Sequence, residues 1–346
     1  MSPLLTLVAC ATTGAPPPTP AAPPSVEPAV ALHRAVEGPW EGGGYLALAG
    51  GPGGEAHAAW LVEGALRYAR ADASGAWSAP EEVARGVEAG DGGQIRPALA
   101  LADSGPVLAF AVDGRPTLAT RGDGGWTVSA LSTAEAGIGS LLDLAVVDGE
   151  PLVVWLDTRR DPEAWTSDVY AWYRGAEEEL YADGADGVCV CCRPAAGVVD
   201  GAPAAAFRDA DGELREIRLL VRGEDGWADR GLVTSGGWAP GGCPADGPVF
   251  DGGALLVSDA RDGARRVYRG DEPLIAPEGV HAVQPRAAVG AVFWLRASEG
   301  EVALMAGDQP LVTTTGRLEP GDPAAIGDEI WISWDDGETH AVAVRP

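Results

Sequence analysis

The chain has 346 residues, 51 acidic against 24 basic side chains, a formal net charge of −27 and a pI near 4.3. So negative a surface repels phosphate backbones and excludes nucleic acid as a main partner, while 46% hydrophobic residues with 12 Trp exclude a disordered chain. Every basic residue is Arg, and 49 Gly with 28 Pro are spread along the chain as turns would be, which reads as a soluble, turn-rich protein.

The chain opens with a short apolar stretch, Leu4 to Ala9, that ends at Cys10, and a Pro/Ala-rich segment follows over residues 11–28. The stretch is far too short to span a bilayer. Leu7-Val8-Ala9-Cys10 resembles the lipobox of a bacterial lipoprotein signal. The resemblance implies a signal over residues 1–10, lipidation at Cys10, and a tether that holds residues 29–346 off a membrane in the cell envelope, facing periplasm or exterior. The pattern departs in lacking Arg or Lys ahead of the apolar stretch, which a start upstream of Met1 would supply. The alternative is a chance cysteine in a disordered leader.

After residue 30 no long stretch keeps a helical period, and Gly, Asp and Pro punctuate the chain every few residues. A unit recurs instead: a short apolar strand, an acidic turn, another strand. Its copies are centred on Trp60, Phe110, Trp155, Phe207, Asp259, Trp294 and Trp334, which fall 35 to 52 residues apart. A period of about 45 residues, with four short strands each, predicts an all-β fold, a β-propeller. In the second copy the strands are Arg96 to Leu101, Val107 to Val112, Thr117 to Arg121 and Trp126 to Leu131. Seven blades are expected, or six if the weak fifth and sixth copies are wrongly divided. The last copy ends after its third strand, so Ala29 to Val36 is expected to supply the fourth and close the ring. A two-sheet sandwich is the rival fold.

The segments A-D-A-S-G-A-W (71–77), R-G-D-G-G-W (121–126) and R-G-E-D-G-W (222–227) resemble degenerate Asp-boxes, the turns of sialidase-type propellers in which an Asp ties loop amides and a Trp packs between sheets. Residues 155 to 248 resemble a family of uncharacterised bacterial exported proteins of sialidase-like, BNR-repeat type. The resemblance rests on W-L-D-T-R-R (155–160), D-V-Y-A (168–171), V-C-V-C-C-R-P (188–194), F-R-D (207–209) and G-W-A-P-G-G-C-P-A-D-G-P (237–248). It implies an exported propeller and carries over no activity, since the fold hosts many functions.

Sialidase chemistry needs an arginine cluster for a sugar carboxylate, a Tyr nucleophile paired with Glu, and an Asp acid. Arg96, Arg193 and Arg286 stand near the starts of innermost strands and so can converge on the channel. The F/Y-R-I-P signature is missing, however, and Tyr170 and Tyr268 are nucleophile candidates by topology alone. The competing reading pairs each Arg with channel carboxylates. The loops at 156–161, 207–212 and 258–263 share a rim and mix Asp with Arg, as a ligand-binding face or plain solvated turns would. Asp157, Arg159, Arg160, Arg208 and Asp209 join the three axial arginines as candidate ligand contacts.

Cys189, Cys191 and Cys192 precede the fourth blade and Cys243 the fifth, so four sulfurs can meet on one rim. Adjacent Cα atoms lie about 3.8 Å apart, too close for an unstrained Cys191–Cys192 bridge. A bridge from one of the three to Cys243 would staple two blades, worth about 2–4 kcal/mol. Alternatively Cys191, Cys192, Cys243 and His281 would suit copper or zinc, although C-x-C-C departs from the spacing of zinc ribbons. His33, His57 and His340 show no ligand spacing. The expectation is a monomeric binding or interaction module without cofactor, its partner a small anionic or glycan ligand or an envelope protein. A sialidase-type glycosidase and a copper- or redox-linked envelope protein are the alternatives.

Overall fold

The structure is a computed structural model, described over residues 31–90, 93–134, 139–160, 166–182, 187–241, 244–275 and 278–345. Cys10, the tether and Cys243 lie outside the described residues. Among the described residues there is no helix, and thus none long and apolar enough to cross a membrane.

The strands form seven antiparallel sheets, each winding outward from an inner strand A to an outer strand D. Blade 1 comprises Gly44–Gly50, Ala56–Val62, Ala65–Ala71 and Glu81–Arg85. Blade 2 comprises Ala98–Ala102, Gly105–Val112, Arg115–Gly122 and Gly125–Ala130. Blade 3 comprises Leu142–Val147, Glu150–Asp157, Thr166–Tyr173 and Ala176–Tyr181. Blade 4 comprises Ala195–Val199, Ala202–Arg208, Ile217–Gly223 and Gly226–Leu232. Blade 5 comprises Val249–Asp251, Ala254–Asp259, Arg266–Arg269 and Glu272–Ile275. Blade 6 comprises His281–Ala288, Ala291–Ser298, Glu301–Ala306 and Gln309–Thr314.

Blade 7 joins the two ends of the chain. Its inner strand is split into Glu319–Pro320 and Ala324–Ile326, and Glu329–Asp335 and Thr339–Arg345 follow. Ala31–Ala35 is its outermost strand, paired antiparallel with Thr339–Arg345. The predicted closure stands, and it covers an edge that would otherwise be open to aggregation.

Seven hydrophobic clusters fill the ring, each shared by two neighbouring blades. Phe110 packs with Leu66 and Tyr68 of blade 1, and Trp155 with Val107 and Ala109 of blade 2. The cluster between blades 7 and 1 places Trp331 with Trp60. Seven interfaces require seven blades, and the six-blade division falls away. The chain is a seven-bladed β-propeller.

Acidic-glycine pairs make the tight turns. Asp113-Gly114, Asp148-Gly149 and Asp200-Gly201 each hold two successive residues at positive φ, the type I′ geometry that matches strand twist. Of the Asp-box-like segments, only the first forms the expected turn. There the Asp72 carboxylate accepts the amides of Ser74 (2.9 Å) and Ala76 (3.2 Å), and Trp77 lies edge-on to Trp40 at 5.3 Å. The segments at 121–126 and 222–227 are shorter hairpins, with Gly122 opposite Gly125 and Gly223 opposite Gly226. Trp126 still reaches the preceding blade, lying edge-on to Tyr68 at 5.0 Å.

The repeat anchor in blade 5 shifts by two residues. Val257 pairs with Tyr268 as Trp155 pairs with Tyr170, so Asp259 is the counterpart of Asp157. A small side chain at Val257 hid the copy from a search for aromatic anchors.

Candidate functional site

Arg96, Arg193 and Arg286 come from blades 2, 4 and 6, and each is flanked by proline: Pro97, Pro194 and Pro285. Pro97 and Pro194 deny the ladder an N–H just ahead of the inner strands Ala98–Ala102 and Ala195–Val199, whereas Pro285 sits inside His281–Ala288 at a bulge, after Gln284 at positive φ. The three guanidiniums are buried and line an axial cavity of about 220 Å³ together with Gln94, Asp143 and Asp322.

Asp322 reaches the axis because blade 7 breaks its inner strand there. Pro320 and Pro323 bracket Gly321-Asp322, and neither proline can donate to the ladder. At Gly321 a Cβ would stand 2.1 Å from the Ser333 hydroxyl, so only glycine permits this approach. The resulting bulge points the carboxylate inward. Arg96 Nη2 donates to Asp322 Oδ1 at 2.7 Å and Arg193 Nη1 to Oδ2 at 2.9 Å, while Arg286 Nε stands 3.4 Å from Oδ1.

The other contacts differ among the arginines. Arg193 also pairs with Asp143 at 2.8 Å, donates Nε to the Leu142 carbonyl at 2.6 Å, and gives its amide to the Gln94 side chain at 3.2 Å. Arg96 donates to the Gly93 carbonyl at 2.7 Å. Arg286 donates Nη1 to the Pro285 carbonyl at 2.8 Å, and its buried Nε makes no hydrogen bond. Three guanidiniums thus face two carboxylates, a formal excess of one positive charge at the axis of a strongly negative protein.

The ionisation equilibria reflect that excess. Burial pushes the Asp322 carboxyl up, yet Arg96, Arg193 and Arg286 together hold it well below the usual carboxylate range. Burial raises Asp143, and Arg193 only partly offsets this. Burial and then the Arg193 charge lower Arg96 to about 9. Arg286 is also lowered, chiefly by burial. An arginine does not give up its proton at neutral pH, so Arg96 and Arg286 are cations that burial disfavours, whereas Asp143 and Asp322 outweigh burial at Arg193 and raise it.

Asp157, Arg159, Arg160, Arg208 and Asp209 fall outside the cavity lining. Arg159 pairs with Asp157 and Glu177 at 2.6 Å each and lies 3.9 Å over the Tyr170 ring. Blade 5 repeats this arrangement: Arg261 pairs with Asp259 and Asp271 and lies 4.2 Å over Tyr268. Arg160 pairs with Asp168, and Asp209 with Arg218 at 2.8 Å. Arg208 is buried and donates to the carbonyls of Asp246, Arg215 and Ser258 at 2.8 to 3.1 Å. Tyr170 and Tyr268 lie on C strands, donate to Glu179 (2.7 Å) and Asp262 (2.9 Å), and are pushed up first by burial. No tyrosine is among the described residues that line the cavity.

The second constellation is sulfur. The Sγ atoms of Cys189, Cys191 and Cys192 lie within 4.8 Å of one another, a soft donor set able to hold copper or zinc. Cys189 and Cys192 are free thiols, Cys191 has a partner of its own, and no disulfide joins two described cysteines. His281 is exposed at the start of the blade 6 inner strand, where its Nδ1 accepts the Arg265 amide at 3.3 Å. It is not part of the sulfur group. Reading C-x-C-C as a departure from zinc-ribbon spacing overlooks that Cys189 and Cys192 themselves stand as C-x-x-C. Sequence reasoning also missed Asp322 and Asp143, which belong to no motif.

No known protein family matches the chain, and no curated protein matches it either. Solved structures do. A catalytically inactive variant of virginiamycin B lyase from Staphylococcus aureus, solved with quinupristin, superposes with a TM-score of 0.54 at 11% identity, over 90% of this chain and 99% of that one. A prolyl endopeptidase superposes with a TM-score of 0.53 at 12% identity, over 86% of this chain and 46% of that one. At such identities the likeness supports the propeller fold alone, and the sialidase-like, BNR-repeat identity finds no match.

Proposed function

We propose that this propeller is a ligand-binding module that takes a small anion, a carboxylate-bearing sugar or short organic acid, at its axis. The observation that carries the reading is the excess of guanidinium over carboxylate in a buried cavity, where Arg286 Nε meets Asp322 only as a 3.4 Å ion pair. Paired guanidinium N–H groups match a carboxylate's geometry. A cavity of about 220 Å³ is below the size of drug-type pockets. It suits one small molecule or the acidic end of a larger one.

Binding without turnover is better supported than a sialidase. A glycosidase of that type needs a tyrosine beside the arginines, and Tyr170 and Tyr268 are tied to carboxylates on outer strands. Attachment to a bacterial envelope through Cys10 rests on the lipobox and the Pro-rich tether. A staple from one of the three clustered cysteines to Cys243 rests on their placement in neighbouring loops of the sequence repeat, and the free thiols of Cys189 and Cys192 leave Cys191 for it.

Calorimetric titration with matched sugars tests the reading. Galacturonate or glucuronate should release heat and saturate at one site, whereas galactose and glucose should not. Equal heats for charged and neutral partners would count against a carboxylate site.

A further inference from the structure

We infer that Cys189 and Cys192 form a redox-active dithiol, distinct from the axial site, that exchanges with low-molecular-weight disulfides. The two thiols are free, stand at C-x-x-C spacing, and bring Sγ to Sγ at 3.7 Å. A disulfide needs about 2.05 Å, so closure takes a movement of about 2 Å between Cys189, which ends the short strand Val188–Cys189, and Cys192 in the turn after it. Cys192 is fully buried and Cys189 nearly so.

Their surroundings differ in the way a nucleophile and a resolving thiol require. Cys189 and Cys192 share a sulfur–sulfur hydrogen bond, which, with the Cys191 amide and the Arg208 and Arg215 charges, outweighs burial and lowers Cys189 to about 6. Cys192 is raised, first by burial and then by its bond to Cys189. Exchange begins with attack by a thiolate, and the slightly exposed Cys189 takes that role while the fully buried Cys192 resolves the mixed disulfide. Arg208 thus has a place in this site that the axial reading does not give it: its fixed cation faces the sulfurs.

The Cys189 thiolate attacks one sulfur of a small disulfide, forming a mixed disulfide and expelling one thiolate. Cys192 passes its proton to that thiolate and attacks Cys189 Sγ. The Cys189–Cys192 bond forms, the mixed disulfide breaks, and a second thiolate leaves to take a proton from water. Two protein thiols are oxidised, and one small disulfide is reduced to two thiols.

The test equilibrates the purified chain with glutathione and glutathione disulfide in varying ratio, alkylates the remaining thiols, and maps them by mass spectrometry. Cys189 and Cys192 should lose alkylation together along a two-electron curve, with a peptide map showing a Cys189–Cys192 bridge. In Cys192→Ser, Cys189 should instead accumulate a glutathione adduct, and in Cys189→Ser, Cys192 should take up at least tenfold less. The titration of the unaltered chain decides the matter even where a variant fails to fold. Thiols that stay reduced at every ratio, that titrate independently, or that bridge to Cys191 would overturn the inference. So would stoichiometric copper or zinc that shields both from alkylation.

Discussion

Arg96 and Asp322 meet at 2.7 Å although 226 positions separate them in the chain. Their contact ties blade 2 to blade 7 across the axis, and Asp322 also binds Arg193 of blade 4. One carboxylate therefore serves as the shared counter-ion of the arginine group.

Removing that counter-ion leaves three cations facing one another. Asp322→Asn should destabilise the fold by about 2 kcal/mol, less than a fully buried pair because the carboxylate faces the cavity. Added sulfate or malonate should restore most of the loss, as an anion takes the vacated place. The folded pKa of Asp322 is depressed, so its contribution is full above about pH 4 and fades as pH falls further. Thermal unfolding of both proteins across that range should show the gap closing in acid.

Arg286 and Arg208 make opposite predictions despite similar burial. Arg286→Leu should leave stability within about 1 kcal/mol of the parent and weaken galacturonate binding at least tenfold, about 1.4 kcal/mol. Arg208→Leu should cost about 3 kcal/mol, because three backbone carbonyls lose a charged donor in the interior. Denaturant melts and calorimetry on the two variants check both halves.

His57 is a buried imidazole that shares a 2.6 Å hydrogen bond with the Tyr68 hydroxyl, and burial lowers it to about 4. The unfolded chain takes up the proton near pH 6.5 while the folded chain refuses it until about 4. Stability is therefore lost as pH falls through that window, by up to about 3 kcal/mol before solvent screening reduces it. In His57→Gln that loss should be absent, so the stability difference between parent and variant should shift by that amount between pH 7 and 4.

Ring closure depends on five residues near the N-terminus. A chain of residues 37–346 lacks Ala31–Ala35 and leaves the edge of Thr339–Arg345 unpaired. It should melt at lower temperature and aggregate, whereas residues 29–346 should behave as the full chain does. Light scattering during a thermal ramp distinguishes the two.

Much of this architecture is legible before any coordinates. Trp60, Phe110, Trp155, Phe207, Trp294 and Trp334 recur because each B strand must fill the space between two blades, and burial enforces that spacing. Closure by Ala29 to Val36 follows from a last copy one strand short. The convergence of Arg96, Arg193 and Arg286 follows from inner strands lining an axis. What stayed hidden lacks local signature. Asp322 acquires its role from a strand break in another blade, and Asp143 from lying beside Arg193. Val257 is too small to reveal its place in the repeat. The Cys189–Cys192 pair is written in the sequence but obscured by Cys191 between them.

An anion held at the axis by Arg193 and Arg286 can be seen by anomalous diffraction from crystals grown with selenate. An anomalous peak is expected inside the cavity, within hydrogen-bonding distance of Arg286 and Arg193, and a carboxylate soak should displace it. Selenate confined to the outer surface, with the axis holding water alone, would contradict an axial anion site.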